Sequence, residues 1–359
     1  MTDCHPVAHR RDASAVAIVG TGSYLPATEV TNAQLESRLN VPPGWIEERT
    51  GVRARRVARE DEATSDLATA AGEAAVADAG IDRREIDLVV VATSTPDQPL
   101  PATACTVQAN LGLAGCPAFD VDAVCTGFLY ALEVARSMMT GNPSLRHALV
   151  IGADTYSRVL DHTDRRTSVL FGDGAGAVVL GRAPVGITDL ELGADGSMAD
   201  YVRIPAGGSR RPTSADTLRS GGHLFRMEGR AVRLFAEQIF ADLVDRALAR
   251  ARLDVGDLGL VVPHQANVRI LERCAGRAGL SPGQIAITAD TYGNTGAASV
   301  PVTLHQAVRD GRVRPRDKVL FVAFGGGMTW GSALMTWAGR DDRGPGHASR
   351  PTELQGSTR

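Results

Sequence analysis

The sequence predicts an α/β protein in which mixed, largely parallel sheets are covered by helices and the chain forms two similar halves. Short β-branched runs such as VAIVG and KVLFVAF indicate buried strands. Longer segments with helical spacing of apolar residues separate these runs, and such alternation is typical of α/β folds. The rhythm of the first half recurs after a break near residues 184–190, which suggests a duplication.

Elements of the first half are recognised by their ends as well as by their apolar spacing. VAIVG, at 16–20, is typical of a strand, and the helix at 65–80 begins on a Ser/Asp cap and ends at Gly80. IDLVVVAT, at 86–93, is typical of a strand buried on both faces. The remaining predicted elements are a helix near 102–112, a strand near 117–122, a helix at 126–140, a strand at 147–153 and two strands around the glycine-rich turn in 168–180.

The second half opens on a long amphipathic helix, predicted at 227–253. It is followed by a strand at 259–263, a helix at 266–279, a strand near 285–288, a helix at 296–310 and strands at 318–324 and 330–337. We therefore expect two halves, 14–186 and 187–339. The polar ends, 1–13 and 340–359, lack periodicity and are predicted to be disordered.

Composition excludes several classes of function. With 38 basic and 41 acidic residues the net charge is −3, which argues against nucleic-acid binding. The five cysteines are scattered and form no C-x-x-C pair, so neither a disulfide framework nor a zinc site is expected, and a reducing cytoplasm fits best. There is no apolar run of membrane-spanning length and no signal-peptide core in MTDCHPVAHRRD, so we expect a cytoplasmic protein without a membrane partner.

A candidate nucleophile stands where a strand passes into a helix. The segment AFDVDAV would deliver Cys125 to the start of the helix at 126–140. A helix N-terminus favours negative charge and would lower the pKa of the thiol. The alternative is that Cys125 is a small buried hydrophobic residue, which is the commoner fate of a free cysteine.

Three further segments could complete an active site. His264 and Asn294 each lie just after a strand and before a helix, and FGGGMTWGS offers backbone N–H groups that could hold an oxyanion. Each has a simpler interpretation as a structural histidine, a helix cap or a turn. Ligand sites nevertheless gather at the carboxyl ends of strands, so we expect the three polar side chains to meet there.

The ordered motifs of the chain give a specific resemblance. They are GTGSYLP, WIEERTGVRARR, AFDVDAVCTGFLYAL, DRRTSVLFGDGAGAVVL, PHQAN, YGNTGAAS and FGGGMTWGSA. In this order the sequence resembles the β-ketoacyl-[acyl-carrier-protein] synthase III family of thiolase-like condensing enzymes, from about residue 14 to 339. The resemblance implies a five-layer αβαβα sandwich of two similar halves, and a homodimer that uses acyl-CoA and malonyl carrier protein without metal or cofactor.

The resemblance also implies a role for individual residues. The catalytic set would be Cys125, His264 and Asn294, with the N–H groups of Cys125 and Gly326 as the oxyanion hole. Contacts to CoA and its pantetheine arm would come from Trp45, Arg49, Thr50, Arg165, Gly229, Ala266 and Asn267. The acyl pocket would include Thr126, Phe324 and, across a dimer interface, Leu100.

A basic surface for the acidic carrier protein is implied as well, although its arginines could also form an ordinary solvated helix face. We call this set the docking arginines: Arg230, Arg233, Arg269, Arg273 and Arg277. Leu234 departs from the family here, since many relatives carry a lysine at that position. Thr126 is a second departure, because relatives often have alanine or serine after the nucleophile.

Three functions remain open from the sequence. The first is decarboxylating condensation that starts fatty-acid or polyketide chains. The second keeps the acyl-cysteine but transfers the acyl group to a hydroxyl or amine of a small molecule. The third is a non-catalytic partner subunit, which retention of Cys125 disfavours. Cys125, His264 and Asn294 together favour the first, because transfer to oxygen needs a base but no group that stabilises an enolate.

Overall fold

The computed structural model describes residues 15–339 and Asp342. Apart from Asp342, the ends that the sequence predicts to be disordered lie outside these described residues. The strands are β1 Ala15–Tyr24, β2 Thr28–Thr31, β3 Ala54–Val57, β4 Leu88–Ala92, β5 Ala118–Val121, β6 Ala148–Asp154, β7 Gly174–Ala183, β8 Ile187–Ala194, β9 Val202–Arg203, β10 Arg226–Met227, β11 Leu258–Pro263, β12 Lys318–Gly325 and β13 Thr329–Thr336. The helices are α1 Asn32–Leu39, α2 Trp45–Thr50, α3 Thr64–Ala79, α4 Thr103–Asn110, α5 Gly127–Gly141, α6 Ala215–Arg219, α7 Gly229–Ala251, α8 Val268–Arg277, α9 Ala289–Tyr292 and α10 Ser299–Arg309.

Two larger sheets organise the described chain. One has the order β1-β7-β6-β4-β5 and the other β11-β12-β13-β8. Three of their strand pairs are parallel and four are antiparallel, so the prediction of largely parallel sheets is wrong. The cause is that β7 and β13 return beside the preceding strand without a crossover helix, which a parallel pair would require.

The two sheets repeat one topology. In each half the first strand, β1 or β8, pairs antiparallel with the last strand, β7 or β13. The last strand pairs antiparallel with β6 or β12, and that strand pairs parallel with β4 or β11. A parallel bridge between Val261 and Ile285 extends the second sheet where β5 extends the first. This repeat confirms two similar halves, while the boundary between residues 186 and 187 stays a prediction.

Helices form three layers around these sheets. Helices α5 and α10 contact strands of both sheets and share a core cluster with them. On the outer faces, α3 and α4 cover the first sheet, and α7 and α8 cover the second. Backbone approaches backbone closely in the middle layer, since a Cβ on Gly152 would lie 2.3 Å from the carbonyl oxygen of Ala297. The result is the five-layer thiolase-like sandwich that the resemblance implied.

Most predicted elements are present with small shifts of their ends, but two strands are not. Residues 168–171 and 285–288 form no strand, and their contribution to sheet pairing is limited to single bridges at Phe171 and Ile285. The strand β8 was not predicted. Among the described residues, no helix is long and apolar enough to cross a bilayer, and no group of side chains is arranged to hold a metal ion.

Candidate active site

The nucleophile loop lies between β5 and α5. Val124 adopts φ 49°, a left-handed conformation that a β-branched residue reaches only at a cost of about 1–3 kcal/mol. Its N–H donates to the Asp122 carboxylate at 3.0 Å, which holds the turn. Cys125 follows in a one-turn 3-10 helix and is 8% exposed. In that first turn N–H groups lack an intrahelical acceptor, so the N–H of Cys125 remains available for an oxyanion.

Burial, rather than the helix N-terminus, dominates the electrostatics of this thiol. The pKa of Cys125 is raised far above its usual range, first by burial and next by the negative charge of Asp154. Its own backbone N–H opposes this shift without reversing it. The prediction of a lowered thiol pKa is therefore wrong for the unliganded protein, because desolvation of a thiolate outweighs the helix dipole.

We expect the reactivity of Cys125 to follow its raised pKa. Alkylation by iodoacetamide should keep rising about tenfold per pH unit between pH 7 and pH 10, because only the thiolate reacts and its fraction stays small over this range when the pKa is raised, whereas the rate of an ordinary thiol levels off near pH 9. Mass spectrometry of the Cys125 peptide measures this rate, with the exposed Cys105 as an internal comparison. A plateau in the Cys125 rate near neutral pH would contradict the burial argument.

His264 follows β11 directly and is 2% exposed. Its backbone N–H donates to the carbonyl of Val322 at 2.8 Å, which continues the sheet register as far as His264. The ring meets Phe324 edge to face at 5.5 Å, and Nδ1 lies 2.7 Å from the hydroxyl of Ser299. Burial lowers the pKa of His264 to about 3, so the imidazole is neutral at physiological pH.

Asn294 is held by its own loop with its amide in one orientation. The N–H of Gly296 donates to its side-chain oxygen at 2.9 Å, and its backbone N–H donates to Leu170 at 2.8 Å. Because the oxygen is engaged, the amide nitrogen is the part of this side chain that can donate to a ligand. Asn294 can therefore act beside His264 as a hydrogen-bond donor.

The glycine loop, residues 325–327, packs directly against Cys125. A Cβ on Gly325 would lie 2.9 Å from the backbone nitrogen of Cys125, so only glycine fits there. The hydroxyl of Thr329 lies 2.9 Å from that of Thr126 and 3.0 Å from the carbonyl oxygen of Gly326. These contacts tie the nucleophile loop to the glycine loop, one from each half of the chain.

One cavity of about 300 Å³ brings these groups together. Fourteen residues named from the sequence line it: Cys125, His264, Asn294, Gly326, Phe324, Trp45, Arg49, Thr50, Arg165, Gly229, Ala266, Asn267, Arg233 and Arg273. Five do not: Leu100, Thr126, Arg230, Arg269 and Arg277. Thr126 is buried with its hydroxyl hydrogen-bonded to Thr329, so it does not contribute a wall to this cavity.

The exposed end of the cavity carries an aromatic ring with two cations close to it. The guanidinium carbons of Arg49 and Arg165 lie 4.9 and 5.8 Å from the centre of a Trp45 ring. Such an arrangement can stack with a nucleotide base and neutralise phosphate. Thr50 donates its hydroxyl to the carbonyl of Ile46, and the side-chain oxygen of Asn267 caps α8 by accepting from the N–H of Ile270.

Acidic and amide side chains pair with most of the docking arginines. Glu237 lies 2.7 Å from Arg273 and 3.9 Å from Arg233, and Glu272 lies 3.1 Å from Arg269. Arg277 donates to Gln238, whereas Arg230 has no ion pair or hydrogen bond within the described chain. Leu234 is 54% exposed on the same helix. The positive charge of this surface is thus partly neutralised, and its role in docking stays a prediction.

Sequence reasoning missed two groups of residues in the site. Tyr156 lines the cavity with Phe171 and Phe225, and the three rings stack or meet edge to face within 5.7 Å. Its hydroxyl contacts Ser94 at 2.9 Å. Tyr156 comes soon after the carboxyl end of β6, so the rule that located His264 could have found it. Ser299 gave no comparable signal, because its contact with His264 spans 35 residues.

Comparison with known proteins identifies relatives of the chain. Sequence models of 3-oxoacyl-[acyl-carrier-protein] synthase III match residues 119–196, and models of its C-terminal part match residues 248–337. A β-ketoacyl-[acyl-carrier-protein] synthase III from Rhodospirillum rubrum is 51% identical, covering 89% of this chain and 98% of that protein. An acetoacetyl CoA synthase from Streptomyces sp. strain CL190 is 47% identical, with coverage of 89% and 98%.

Solved structures agree with the sequence relatives. The 3-oxoacyl-[acyl-carrier-protein] synthase III of Aquifex aeolicus superposes with a TM-score of 0.83 at 38% identity, covering 90% of this chain and 100% of that one. The priming β-ketosynthase of the R1128 polyketide pathway gives 0.83 at 35% identity, with coverage of 90% and 97%. The five-layer architecture of this chain is therefore shared with structurally characterised condensing enzymes.

Proposed function

The chain belongs to the 3-oxoacyl-[acyl-carrier-protein] synthase III family, and we propose that it condenses an acyl group from acyl-CoA with malonyl carrier protein to give a 3-oxoacyl carrier protein. The observation that carries this proposal is the convergence of Cys125, His264 and Asn294 on one buried cavity. The thiol of Cys125 supplies the nucleophile, and the neutral side chains of His264 and Asn294 supply hydrogen-bond donors that stabilise the oxygen of an enolate. This activity starts fatty-acid or polyketide chains.

The first half-reaction transfers the acyl group. The sulfur of Cys125 attacks the thioester carbon of acyl-CoA, and the N–H groups of Cys125 and Gly326 stabilise the oxyanion. The bond to CoA sulfur breaks, CoA leaves as its thiol with the proton from Cys125, and an acyl-cysteine remains. Trp45, Arg49 and Arg165 would hold the nucleotide at the exposed end during this step.

The second half-reaction forms the carbon–carbon bond. Malonyl thioester enters, and His264 and Asn294 donate hydrogen bonds to its carbonyl oxygen. Loss of carbon dioxide leaves the electron pair of the broken bond in an enolate, which these donors stabilise. The enolate carbon attacks the acyl-cysteine carbon, cleavage of that thioester bond releases the Cys125 thiolate, and the thiolate takes up a proton from water to regenerate the thiol. These steps use side chains and backbone N–H groups of this chain.

We also propose a homodimer in the cytoplasm. Strand β5 lies at the edge of the first sheet, where its outer side is open to pairing with a second copy. Leu100 is 85% exposed, which suits a residue that reaches into a neighbouring subunit. Four described cysteines are free thiols, which fits a reducing compartment.

A second candidate function differs in the carrier of the malonyl group. The partial neutralisation of the docking arginines, and a leucine at position 234 where many relatives carry a lysine, favour a malonyl donor that does not dock through a basic protein surface. The Streptomyces relative bears the name of a CoA product. Malonyl-CoA is therefore the alternative donor for the second half-reaction.

One experiment tests these proposals together. The protein is incubated with acetyl-CoA or a branched acyl-CoA, and the acylated peptide is identified by mass spectrometry. Malonyl carrier protein or malonyl-CoA is then added, and carbon dioxide and the 3-oxoacyl product are measured. We expect acylation at Cys125 followed by carbon dioxide release with malonyl carrier protein. Release with malonyl-CoA alone would favour the second candidate, and acylation followed by transfer to a hydroxyl or amine without carbon dioxide would refute condensation.

A further inference from the structure

We propose that Ser299 is a positioning residue whose hydroxyl donates to Nδ1 of His264 and thereby keeps the hydrogen of the imidazole on Nε2. The inference deepens the proposed function and rests on it, because the second half-reaction needs a donor at Nε2. It concerns a residue that does not line the substrate cavity and that acts through His264.

The geometry of the contact is direct. Ser299 is the first residue of α10 and is 1% exposed, and its Oγ lies 2.7 Å from Nδ1 of His264. The imidazole is neutral because burial lowers its pKa, although a hydrogen bond with the backbone of Gly296 opposes this shift. A serine hydroxyl can donate to Nδ1 or accept from it, so the direction of this hydrogen bond decides which nitrogen of the neutral imidazole faces the substrate as a donor.

The two possible tautomers have opposite effects on the substrate. If Ser299 donates to Nδ1, Nε2 carries the hydrogen and can stabilise the enolate oxygen. If Nδ1 carries the hydrogen, Nε2 presents a lone pair to that oxygen and repels it. Asn294 is held in the matching state, since the N–H of Gly296 engages its oxygen and leaves its amide nitrogen as the donor. One segment, 294–299, thus sets the donor state of both catalytic partners.

A buried carboxylate anchors this segment. The N–H of Ala297 donates to Oδ2 of Asp154 at 2.8 Å, and a Cβ on Gly296 would lie 2.2 Å from the same oxygen. Asp154 also accepts from Ser94 and from Thr95. The start of α10 is therefore fixed against β6, which places the Ser299 hydroxyl beside His264 independently of any ligand.

The test separates the two half-reactions in Ser299→Ala. Acylation of Cys125 by acetyl-CoA is measured in single turnover, and carbon dioxide release from malonyl carrier protein is measured at saturation. We expect carbon dioxide release to fall by about 10-fold to 100-fold, the range found when a residue that orients a metal-binding histidine is removed. Acylation should stay within about twofold of the unmodified protein, because the oxyanion hole is intact.

Two controls distinguish positioning from a structural role. Ser332→Ala removes a fully buried serine hydroxyl that has no hydrogen-bond partner, so both half-reactions should be unchanged. Ser299→Cys keeps a weak donor at the same position and should restore part of the lost rate. Equal losses of acylation and carbon dioxide release in Ser299→Ala, or unchanged release, would overturn the inference.

Nitrogen-15 NMR of the histidine rings gives a readout that does not depend on activity. The signal of His264 is assigned by its absence from His264→Ala. We expect the Nε2–H tautomer in the unmodified protein and a shift toward Nδ1–H in Ser299→Ala. An Nδ1–H tautomer in the unmodified protein would refute the role of Ser299 even if condensation is observed. Absence of condensation with the expected tautomer would instead refute the proposed function alone.

Discussion

Cys125→Ala is expected to abolish acylation by acyl-CoA and to lower condensation at least about a thousandfold, because the covalent route is lost. No other described cysteine lines the cavity, so no neighbouring thiol can replace it. His264 and Asn294 keep their contacts in this variant. Release of carbon dioxide from malonyl carrier protein should therefore continue without condensation. Intact-protein mass spectrometry measures the first effect, and product analysis measures the second.

Cys105→Ser is the matched control for this experiment. It removes an exposed thiol outside the cavity and should leave acylation and condensation unchanged. Acyl label that persists on the protein after Cys125→Ala would refute the nucleophile assignment. Loss of label in Cys105→Ser as well would show that substitution of a cysteine disturbs the fold rather than the chemistry.

The positions of the three catalytic candidates could be predicted from the sequence for a physical reason. Cys125, His264 and Asn294 each follow an apolar run and precede a helix, and β5 and β11, which lead to the first two, run parallel to a neighbouring strand. In such sheets the carboxyl ends gather side chains from distant parts of the chain. Local pattern was sufficient for Cys125 and His264 because each is placed by its own strand, whereas Asn294 follows the short helix α9 and no strand leads to it.

Pairing between distant segments could not be predicted in the same way. Phe171 and Asn294 form a parallel bridge, and the backbone of Asn294 contacts Leu170 and Gly172, so the loop before β7 supports the catalytic loop. The segment 168–171 is apolar and short, and its periodicity alone cannot distinguish a bridge from a strand. The strand predicted there is absent because its backbone groups pair with the loop around Asn294 in the other half.

The electrostatics of the site also depended on burial that the sequence does not show. A helix N-terminus supports a low thiol pKa in a solvated position, but Cys125 is enclosed by both halves and feels the negative charge of the buried Asp154. The same enclosure makes His264 neutral. The site thus contains a protonated thiol and a neutral imidazole, and its donors suit a carbonyl oxygen rather than an ion pair.

Replacing His264 by alanine is expected to separate the two half-reactions most clearly. Removal of a donor that acts on the enolate oxygen should lower carbon dioxide release by about 10²-fold to 10⁴-fold. Acylation of Cys125 should persist, because the proposed oxyanion hole consists of backbone N–H groups.

Asn294→Ala should behave in the same way, with a further loss of loop order because Gly296 then lacks its acceptor. The rate of Cys125 acylation and the rate of carbon dioxide release are measured in each variant as for Ser299→Ala.

The double variant His264→Ala/Asn294→Ala decides whether the two side chains act on one oxygen. If both donate to the same enolate oxygen, each single loss already removes much of the stabilisation, and the double variant should cost less than the sum of the two. Full additivity would mean that they act on separate groups. We expect these donors to act only in the second half-reaction. If acylation falls by the same factor as carbon dioxide release in either single variant, this expectation is contradicted, since the donors would then serve the first half-reaction too.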